Sequence, residues 1–261
     1  MLDPVTIIAI LAAVGLGAGT IGSMLGVGGG IIMVPALAFL GLPPGQIAGT
    51  SLFAVASTSV SSTAAYSRQK RIDYRHGLEM AAAAVPGGVL GAFLSKDLAL
   101  PDFKLYFGIL LMAVGTYIAF RESILKEKKD GVGGKVTATQ HAAIFAIAFG
   151  AGIISSLFGV GGGVIFVPVL LLMHRMTMHS AAPTSQLTLM VTSIAGLATH
   201  VTLGHVDYLY AIALSAGAVI GAQLGARWSR SVKNRILQKA LAAVLVAVAV
   251  KFVADWLTAA R

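Results

Sequence analysis

The sequence contains no cysteine and few charged residues. Without cysteine, the chain has no disulfide, no thiolate nucleophile and no thiolate metal site. Only 11% of its 261 residues are charged while 57% are hydrophobic, and the mean hydropathy is +0.86, which lies outside the usage of soluble proteins. These values exclude an ordinary soluble domain and predict an all-α integral membrane protein whose surroundings are the lipid bilayer.

The apolar residues are gathered into runs whose lengths predict where the chain crosses the bilayer. A spanning helix needs about 20 mainly apolar residues, and eight runs approach or reach that length. They are residues 5–24, 47–66, 77–95, 104–120, 141–157, 183–201, 208–225 and 237–256. Two further runs, 31–40 and 164–173, are too short to span the bilayer alone.

The net charge of +9 would suggest nucleic acid as a partner in a soluble protein, but here the basic residues lie in short loops between apolar runs. Such loops are typical of the cytoplasmic side of a membrane protein, so no nucleic acid is expected. Fourteen of the 19 lysines and arginines belong to these loops: Arg68, Lys70, Arg71, Arg75, Arg121, Lys126, Lys128, Lys129, Lys135, Arg175, Arg227, Arg230, Lys233 and Arg235. Placing them all in the cytoplasm puts both termini outside a multi-pass protein of the cytoplasmic (inner) membrane.

The sequence is duplicated. It reads GVGGGIIMVPAL from Gly26 and GVGGGVIFVPVL from Gly159, with nine of twelve positions identical. Later segments also correspond, such as GTSLFAVAST with PTSQLTLMVTS. We predict a first repeat at 1–120, a cytoplasmic linker at 121–138 and a second repeat at 139–261, each repeat with five helical segments.

The charge pattern requires an odd number of crossings in each repeat, or three crossings plus a re-entrant hairpin. Either count inserts the second repeat upside down relative to the first. Inverted repeats are common in secondary transporters, which bind their substrate near the bilayer midplane where the repeats meet.

Three consecutive glycines interrupt apolar sequence in each repeat: Gly28, Gly29 and Gly30, then Gly161, Gly162 and Gly163. Irregular backbone at membrane depth is tolerated only inside protein or beside a watery cavity. We therefore expect each short run to be a half-helix whose free N–H groups and positive dipole end form an anion site. Pro35 and Pro168 are expected to kink or shorten these half-helices. Close helix packing is the alternative role for these glycines.

A second polar feature follows each short run. Hydroxyl and amide groups can complete the hydrogen bonds of an oxyanion without a fixed positive charge, whereas helix N-capping is the alternative role for the hydroxyls. Asp73 and Asp207 are predicted N-caps, and Glu79 and His200 are ionisable residues near segment ends. The predicted substrate-binding residues are Gly26, Gly28, Gly29, Gly30, Gly159, Gly161, Gly162, Gly163, Thr50, Ser51, Thr184, Ser185 and Gln186.

The paired GVGGG motifs, each followed by a proline and a Thr-Ser-containing helix, resemble the TauE/SafE sulfite exporter family over essentially the whole chain. The motif of that family falls on residues 26–35 and 159–168. The resemblance implies a small permease that moves sulfur oxyanions or organosulfonates, such as sulfite or thiosulfate, across the cytoplasmic membrane.

The sequence thus predicts a secondary transporter that exports a small sulfur-containing anion by alternating access. It is not expected to be an enzyme, and no catalytic residue, metal site or cofactor is expected. Three alternatives stay open: an importer, a passive channel for another small anion, and a membrane-embedded hydrolase. The sequence also leaves open a coupling ion, H⁺ or Na⁺, and the oligomeric state.

Overall fold

The computed structural model describes residues 3–96, 98–127, 138–229 and 235–259. Within these ranges the chain forms ten α-helices and no strand, so the predicted all-α fold is confirmed. The helices are α1 (Pro4–Leu25), α2 (Gly30–Ala38), α3 (Pro44–Arg68), α4 (Tyr74–Leu94), α5 (Leu100–Glu127), α6 (Ala138–Phe158), α7 (Gly163–Leu172), α8 (Met178–Thr202), α9 (Tyr208–Trp228) and α10 (Arg235–Ala259). Each helix covers all or nearly all of one of the ten apolar runs.

Two helix boundaries differ from the sequence prediction by five residues or more. Helix α5 continues to Glu127, into the predicted linker, because Glu122, Leu125 and Lys126 are good helix formers. Helix α8 already begins at Met178, because nothing before Pro183 breaks the helix. Residues 128–137 of the linker and the basic residues Lys128, Lys129, Lys135, Arg230, Lys233 and Arg261 lie outside the described residues.

Four helices in the described part of the chain are long and apolar enough to cross a membrane: α1, α4, residues Gln140–Phe158 of α6, and α9. The short helix α7 is also strongly apolar. Helices α3 and α8 are as long as the spanning helices but carry many hydroxyl side chains, which lower their hydropathy. The chain is therefore a membrane protein in which two long helices have an unusually polar composition.

The helices form two compact units. The larger unit comprises Met1–Asp97 and Ala138–Arg230, and so contains α1–α4 and α6–α9. The smaller unit comprises Leu98–Thr137 and Ser231–Arg261, with α5 and α10. In the smaller unit, the two helices pack antiparallel through Phe103, Phe107 and Phe252, and Lys104 lies 3.5 Å from the carboxylate of Asp255.

In the larger unit, glycines bring two pairs of parallel helices into backbone contact. A Cβ at Gly217 or Gly221 of α9 would overlap the carbonyl of Ala12 or Leu16 on α1, respectively. Helix α4 packs against α6 in the same way, with Gly87 against the Phe149 carbonyl. Small residues at these positions let the helix backbones approach closely, as the sequence spacing predicts.

Helices α3 and α8 cross in the middle of the larger unit and run in opposite directions. Ser59 contacts Ser193, and Leu52, earlier in α3, lies against Gly196, later in α8. Helix α3 runs parallel to α9, since Thr50 meets Asp207 at one end and Gln69 meets Ala226 at the other. Helix α8 runs parallel to α4 by the equivalent contacts, from Asp73–Thr184 onward.

Most basic residues of the larger unit gather where α3 and α9 end and α4 begins, which we call the basic end. Arg71 donates there to the Ser229 hydroxyl and to the His179 carbonyl. The charge of Lys96, in contrast, acts on His205, between α8 and α9, at the opposite end. The described basic residues of the basic end are Arg68, Lys70, Arg71, Arg75, Arg175 and Arg227.

Candidate functional site

The two glycine motifs break the helices where the sequence predicts. Between α1 and α2 the chain turns at residues 26–29, and between α6 and α7 it turns at residues 159–162; we call these the first and second breaks. Gly29, with φ +85°, and Gly162, with φ +70°, are the N-caps of α2 and α7. Because L-residues reach this left-handed region only with strain, these two positions require glycine. Pro35 and Pro168 lie inside α2 and α7, and neither helix is interrupted there.

The two breaks lie directly against each other. A Cβ at Gly30 would lie 2.6 Å from the Gly159 carbonyl oxygen, and a Cβ at Gly163 would overlap the Gly26 carbonyl. The eight glycines of the predicted site are all buried. Close packing therefore explains several of these glycines, and the structure also brings the starts of the two short helices together.

The first N–H groups of both short helices have no acceptor among the residues that the structure describes. In α2, the first backbone N–H groups that are bonded belong to Ile32 and Met33, and both donate to Gly29. Ile165 and Phe166 of α7 donate to Gly162 in the same way. The N–H groups at positions 30–31 and 163–164 stay unpaired, as expected at a helix start.

One serine links each break to a long helix of the other repeat: Ser51 of α3 contacts the second break, and Ser185 of α8 contacts the first. The Ser51 hydroxyl donates to the Gly159 carbonyl at 2.8 Å, and the Ser185 hydroxyl donates to the Gly26 carbonyl at 2.7 Å. Both serines are completely buried. Their hydroxyl hydrogens are therefore used on backbone carbonyls in this conformation.

Thr50 and Thr184 contact the starts of other helices rather than the breaks. The Thr50 hydroxyl accepts from the N–H of Asp207, and the Thr184 hydroxyl accepts from the N–H of Asp73. The alternative that these hydroxyls cap their own helices is wrong, because Pro43 and Thr177 are the N-caps of α3 and α8.

Asp73 and Asp207 are N-caps, as predicted: their side chains accept from the N–H groups of His76 and Tyr210. Burial acts to raise the pKa of Asp73, but hydrogen bonds and charge from His76 outweigh it and hold that pKa below its usual value.

Gln186 is the predicted site residue with an unpaired polar atom. Its side chain is completely buried, and its Nε2 donates to the Gly22 carbonyl at 3.0 Å. Because the Gly22 carbonyl oxygen can only accept a hydrogen bond, the amide nitrogen of Gln186, and not its oxygen, must face it. The Oε1 atom has no hydrogen-bond partner in the described part of the chain. Leu52 occupies the corresponding position of the first repeat, so the amide is not required by the shared fold.

The other hydroxyls of α3 and α8 mostly bond to their own helix. Thr58 donates to Ala54, Ser62 to Thr58 and Thr192 to Thr188, each one turn earlier. Such bonds satisfy hydroxyls without any ligand. A groove of about 490 Å³ between α3, α8 and α9 is nevertheless lined in part by Ser57 and Ser61.

The structure also shows polar residues at both ends that the sequence prediction did not include in the site. At the basic end, the Tyr66 hydroxyl donates to the Ser23 carbonyl at 2.9 Å, and the guanidinium of Arg71 lies over the Tyr66 ring. Arg71 is only 8% exposed and lines a polar cleft of about 650 Å³ with Lys70 and His179.

At the opposite end, His200 Nε2 lies 2.9 Å from the Ser156 carbonyl, and its Nδ1 lies 3.2 Å from Nδ1 of His205. Burial lowers the pKa of His205, and the charge of Lys96 lowers it further. In the aligned repeats His200 corresponds to Tyr66. The alignment of the two repeats could therefore have indicated that Tyr66 and His200 occupy equivalent places.

Comparison with known proteins places the chain in a family. The model of the family described as "Sulfite exporter TauE/SafE" matches residues 11–252. The chain belongs to the TauE/SafE family.

Relatives of the chain carry similar descriptions. It is 34% identical to "Probable membrane transporter protein YunE" of Bacillus subtilis, over 91% of this chain and 94% of that protein. It is 26% identical to "Probable membrane transporter protein MJ0441" of Methanocaldococcus jannaschii, over 90% of this chain and 91% of that protein. No solved structure matches the chain. The chain therefore belongs to a family of membrane transporters. Both glycine breaks lie inside the region that the family model matches.

Proposed function

We propose that the protein is a secondary transporter that exports a small sulfur-containing anion, such as sulfite, thiosulfate or an organosulfonate, across the cytoplasmic membrane. The observation that carries the proposal is the meeting of two helix breaks inside the larger unit, where the first N–H groups of α2 and α7 are unpaired. The family description, sulfite exporter, supports the substrate class and the direction.

The proposed binding groups are backbone N–H groups of the two breaks, together with the second N–H of the Gln186 amide, because the Gln186 oxygen can only accept. Helix N-termini favour anions through their unpaired N–H groups and positive dipole ends. No lysine or arginine occurs within either motif, so the anion would be held without a buried ion pair and could be released. In this proposal, Ser51 and Ser185 hold the breaks in place, while Thr50 and Thr184 anchor the starts of neighbouring helices.

The breaks are covered in the conformation described here. The side chain of Val55 on α3 and that of Leu189 on α8 both lie against Gly28 and Gly161. We therefore infer that an anion reaches the breaks only after α3 and α8 move apart on one side. Opening on alternate sides is the motion that alternating access requires.

The proposal includes inverted repeats. Helices α3 and α8 occupy equivalent places in the two halves, and their contacts run in opposite directions. The hydrogen bonds of Ser51 and Ser185 are likewise equivalent, each made to the break of the other half. These reciprocal contacts support an approximate twofold relation between the halves of the larger unit.

The orientation is proposed from charge. Basic residues of the larger unit gather at one end, and the positive-inside rule assigns such an end to the cytoplasm. A membrane potential that is negative inside favours exit of an anion by about 2.3 kcal/mol per charge per 100 mV. This energy supports export without a nucleotide.

A transport assay with the purified full-length protein in proteoliposomes tests the proposal. Sulfite, thiosulfate, sulfoacetate, sulfate and small carboxylates are offered, with empty liposomes as control. We expect saturable flux of a sulfur anion and accelerated exchange when the same anion is present inside. Flux without saturation or exchange would indicate a channel, consumption of the anion would indicate a hydrolase, and transport of carboxylates alone would refute the substrate class.

A further inference from the structure

Five ionisable side chains meet at the basic end, outside the breaks. Three lie in the first turns of α4 and in its cap, one lies near the start of α6, and one follows the end of α7. They are Asp73, His76, Glu79, His141 and His174.

Two histidine–carboxylate pairs flank a third histidine. His76 Nδ1 lies 2.8 Å from the Asp73 carboxylate, and His141 Nδ1 lies 3.2 Å from the Glu79 carboxylate. The His174 ring packs edge-on against the His76 ring, with centroids 4.4 Å apart. Three elements of the larger unit thus meet around one imidazole.

His174 has no hydrogen bond through either ring nitrogen in the described ranges, and both nitrogens are shielded from solvent. Burial lowers the pKa of His174. The charges of His76 and His141 lower it further, and those of Glu79 and Asp73 oppose them. The surroundings of His174 therefore favour its neutral form.

The cluster has no counterpart in the other repeat. Asp207 corresponds to Asp73, but Tyr210 and Ala213 stand where His76 and Glu79 would be expected. The segment after α2 reads Phe39-Leu40-Gly41 and contains no ionisable residue. The shared fold needs the helix cap but not the histidines, which points to a role specific to the basic end.

His174 is positioned to act on the second break through α7. It lies two positions beyond Leu172, where α7 ends, whereas Gly163 at the other end of α7 borders the break. A helix of ten residues is about 15 Å long, and rigid secondary elements of this kind can carry coupling between their two ends. A movement of the segment around His174 would therefore also displace Gly163 at the second break.

We propose that His174, between the His76–Asp73 and His141–Glu79 pairs, is a proton-binding site that couples proton uptake at the basic end to movement of α7 and so to anion transport. The ligand is H⁺. This inference rests on the proposed function for its transport role, but not for the proton site itself.

The direction of the pH effect follows from linkage. The conformation with a neutral, half-buried His174 is stable above the ordinary imidazole pKa of about 6.5 and loses stability as the pH falls below it. Arg75 and Arg175, next to His76 and His174 in the sequence, are exposed, so their charges can be screened by water and salt. A single proton changes the equilibrium between the two conformations by at most about tenfold per pH unit.

The absence of cysteine allows a direct test in the full-length protein in proteoliposomes. A single thiol, Met176→Cys, reports on the segment after α7, where Met176 is half-buried. A second thiol, Ser67→Cys at an exposed position of the same end, corrects for the pH dependence of thiol chemistry. Maleimide labelling of both is compared at about pH 7.5 and about pH 5.5, within the range where imidazole titrates. Three backgrounds are compared: the native sequence, His174→Gln and, as a matched control, His179→Gln, which changes an exposed histidine nearby.

We expect the labelling ratio of the two thiols to rise several-fold, up to about tenfold, on acidification when His174 is present. The rise should persist with His179→Gln and disappear with His174→Gln. An equal rise with His174→Gln, or no rise in the native background, would overturn the proton site.

Anion flux in the same vesicles separates this proposal from the proposed function. A pH-dependent labelling ratio without flux of any tested anion supports the proton site and contradicts the transport proposal. Flux of a sulfur anion with a pH-independent labelling ratio supports the transport proposal and contradicts the proton site. Coupling itself predicts that His174→Gln removes the acceleration of flux on acidification at the basic end.

Discussion

Replacing Gln186 by leucine should separate transport from folding. Leucine has a similar volume and already occupies the corresponding position, Leu52, of the first repeat. The substitution removes one hydrogen bond to the Gly22 carbonyl, which still accepts from the N–H groups of Val27 and Gly28. It also removes the buried Oε1 atom that has no partner in the part of the chain described. No backbone group is left without a partner by the change.

The substitution changes the free energy of unfolding in two opposite directions. The lost hydrogen bond is worth about 0.6 kcal/mol in a membrane protein, whereas removing a buried unpaired acceptor returns about 1–3 kcal/mol. The variant should therefore be as stable as the native protein, or more stable by up to about 2 kcal/mol. If the second N–H of the Gln186 amide donates to the anion, losing this hydrogen bond to a charged group costs about 1.5–3 kcal/mol, so affinity should fall at least about tenfold.

Thermal unfolding in detergent and concentration-dependent flux in proteoliposomes measure the two effects. Gln223→Leu is the matched control, because Gln223 bonds to Ser61 away from the breaks and its loss should leave anion affinity unchanged. A lowered Tm with unchanged flux would show that the Gln186 amide serves only the fold. Unchanged flux and a raised Tm would equally refute its role in binding.

Three further predictions follow from the geometry. Gly28→Ala and Gly41→Ala introduce similar left-handed strain, at φ +81° and +75°, which alone should lower stability by about 1–2 kcal/mol in each. Gly28→Ala should lower it further, because its Cβ would lie 3.1 Å from Leu189 and 3.2 Å from Val55, whereas a Cβ at Gly41 meets nothing among the described residues. Only Gly28→Ala should reduce anion flux, and equal flux in both would contradict the proposed site. Ser185→Ala removes the donor to a buried carbonyl and should lower the free energy of unfolding by about 1–3 kcal/mol, while Ser67→Ala at an exposed position should change it little; equal Tm values would show that the tie is dispensable. Burial and a nearby lysine lower the pKa of His205, so stability should fall as the pH drops below about 6.5; His205→Gln should reduce the loss of Tm between about pH 7.5 and 5.5, and an unchanged slope would count against this assignment.

Much of the fold could be predicted because the relevant signals are local. Apolar runs locate the helices, and runs of glycine in apolar sequence locate the breaks, since a left-handed residue is costly for anything but glycine. The prediction placed Thr184 at a helix start because Pro183 suggested one. In the structure α8 begins at Met178. Pro183 has no N–H to donate to the His179 carbonyl four residues earlier, and Arg71 donates to that carbonyl instead.

The sequence by itself determined the membrane class, the ten helical segments, the duplication and the positions of both breaks, because hydropathy and backbone strain depend on residues close together in the chain. Only the tertiary structure decided what the polar groups contact. Ser51 reaches Gly159 and Ser185 reaches Gly26, and His174 meets His76, across distances that no periodicity records. Such contacts depend on how helices pack, and packing combines side-chain shapes from both repeats at once.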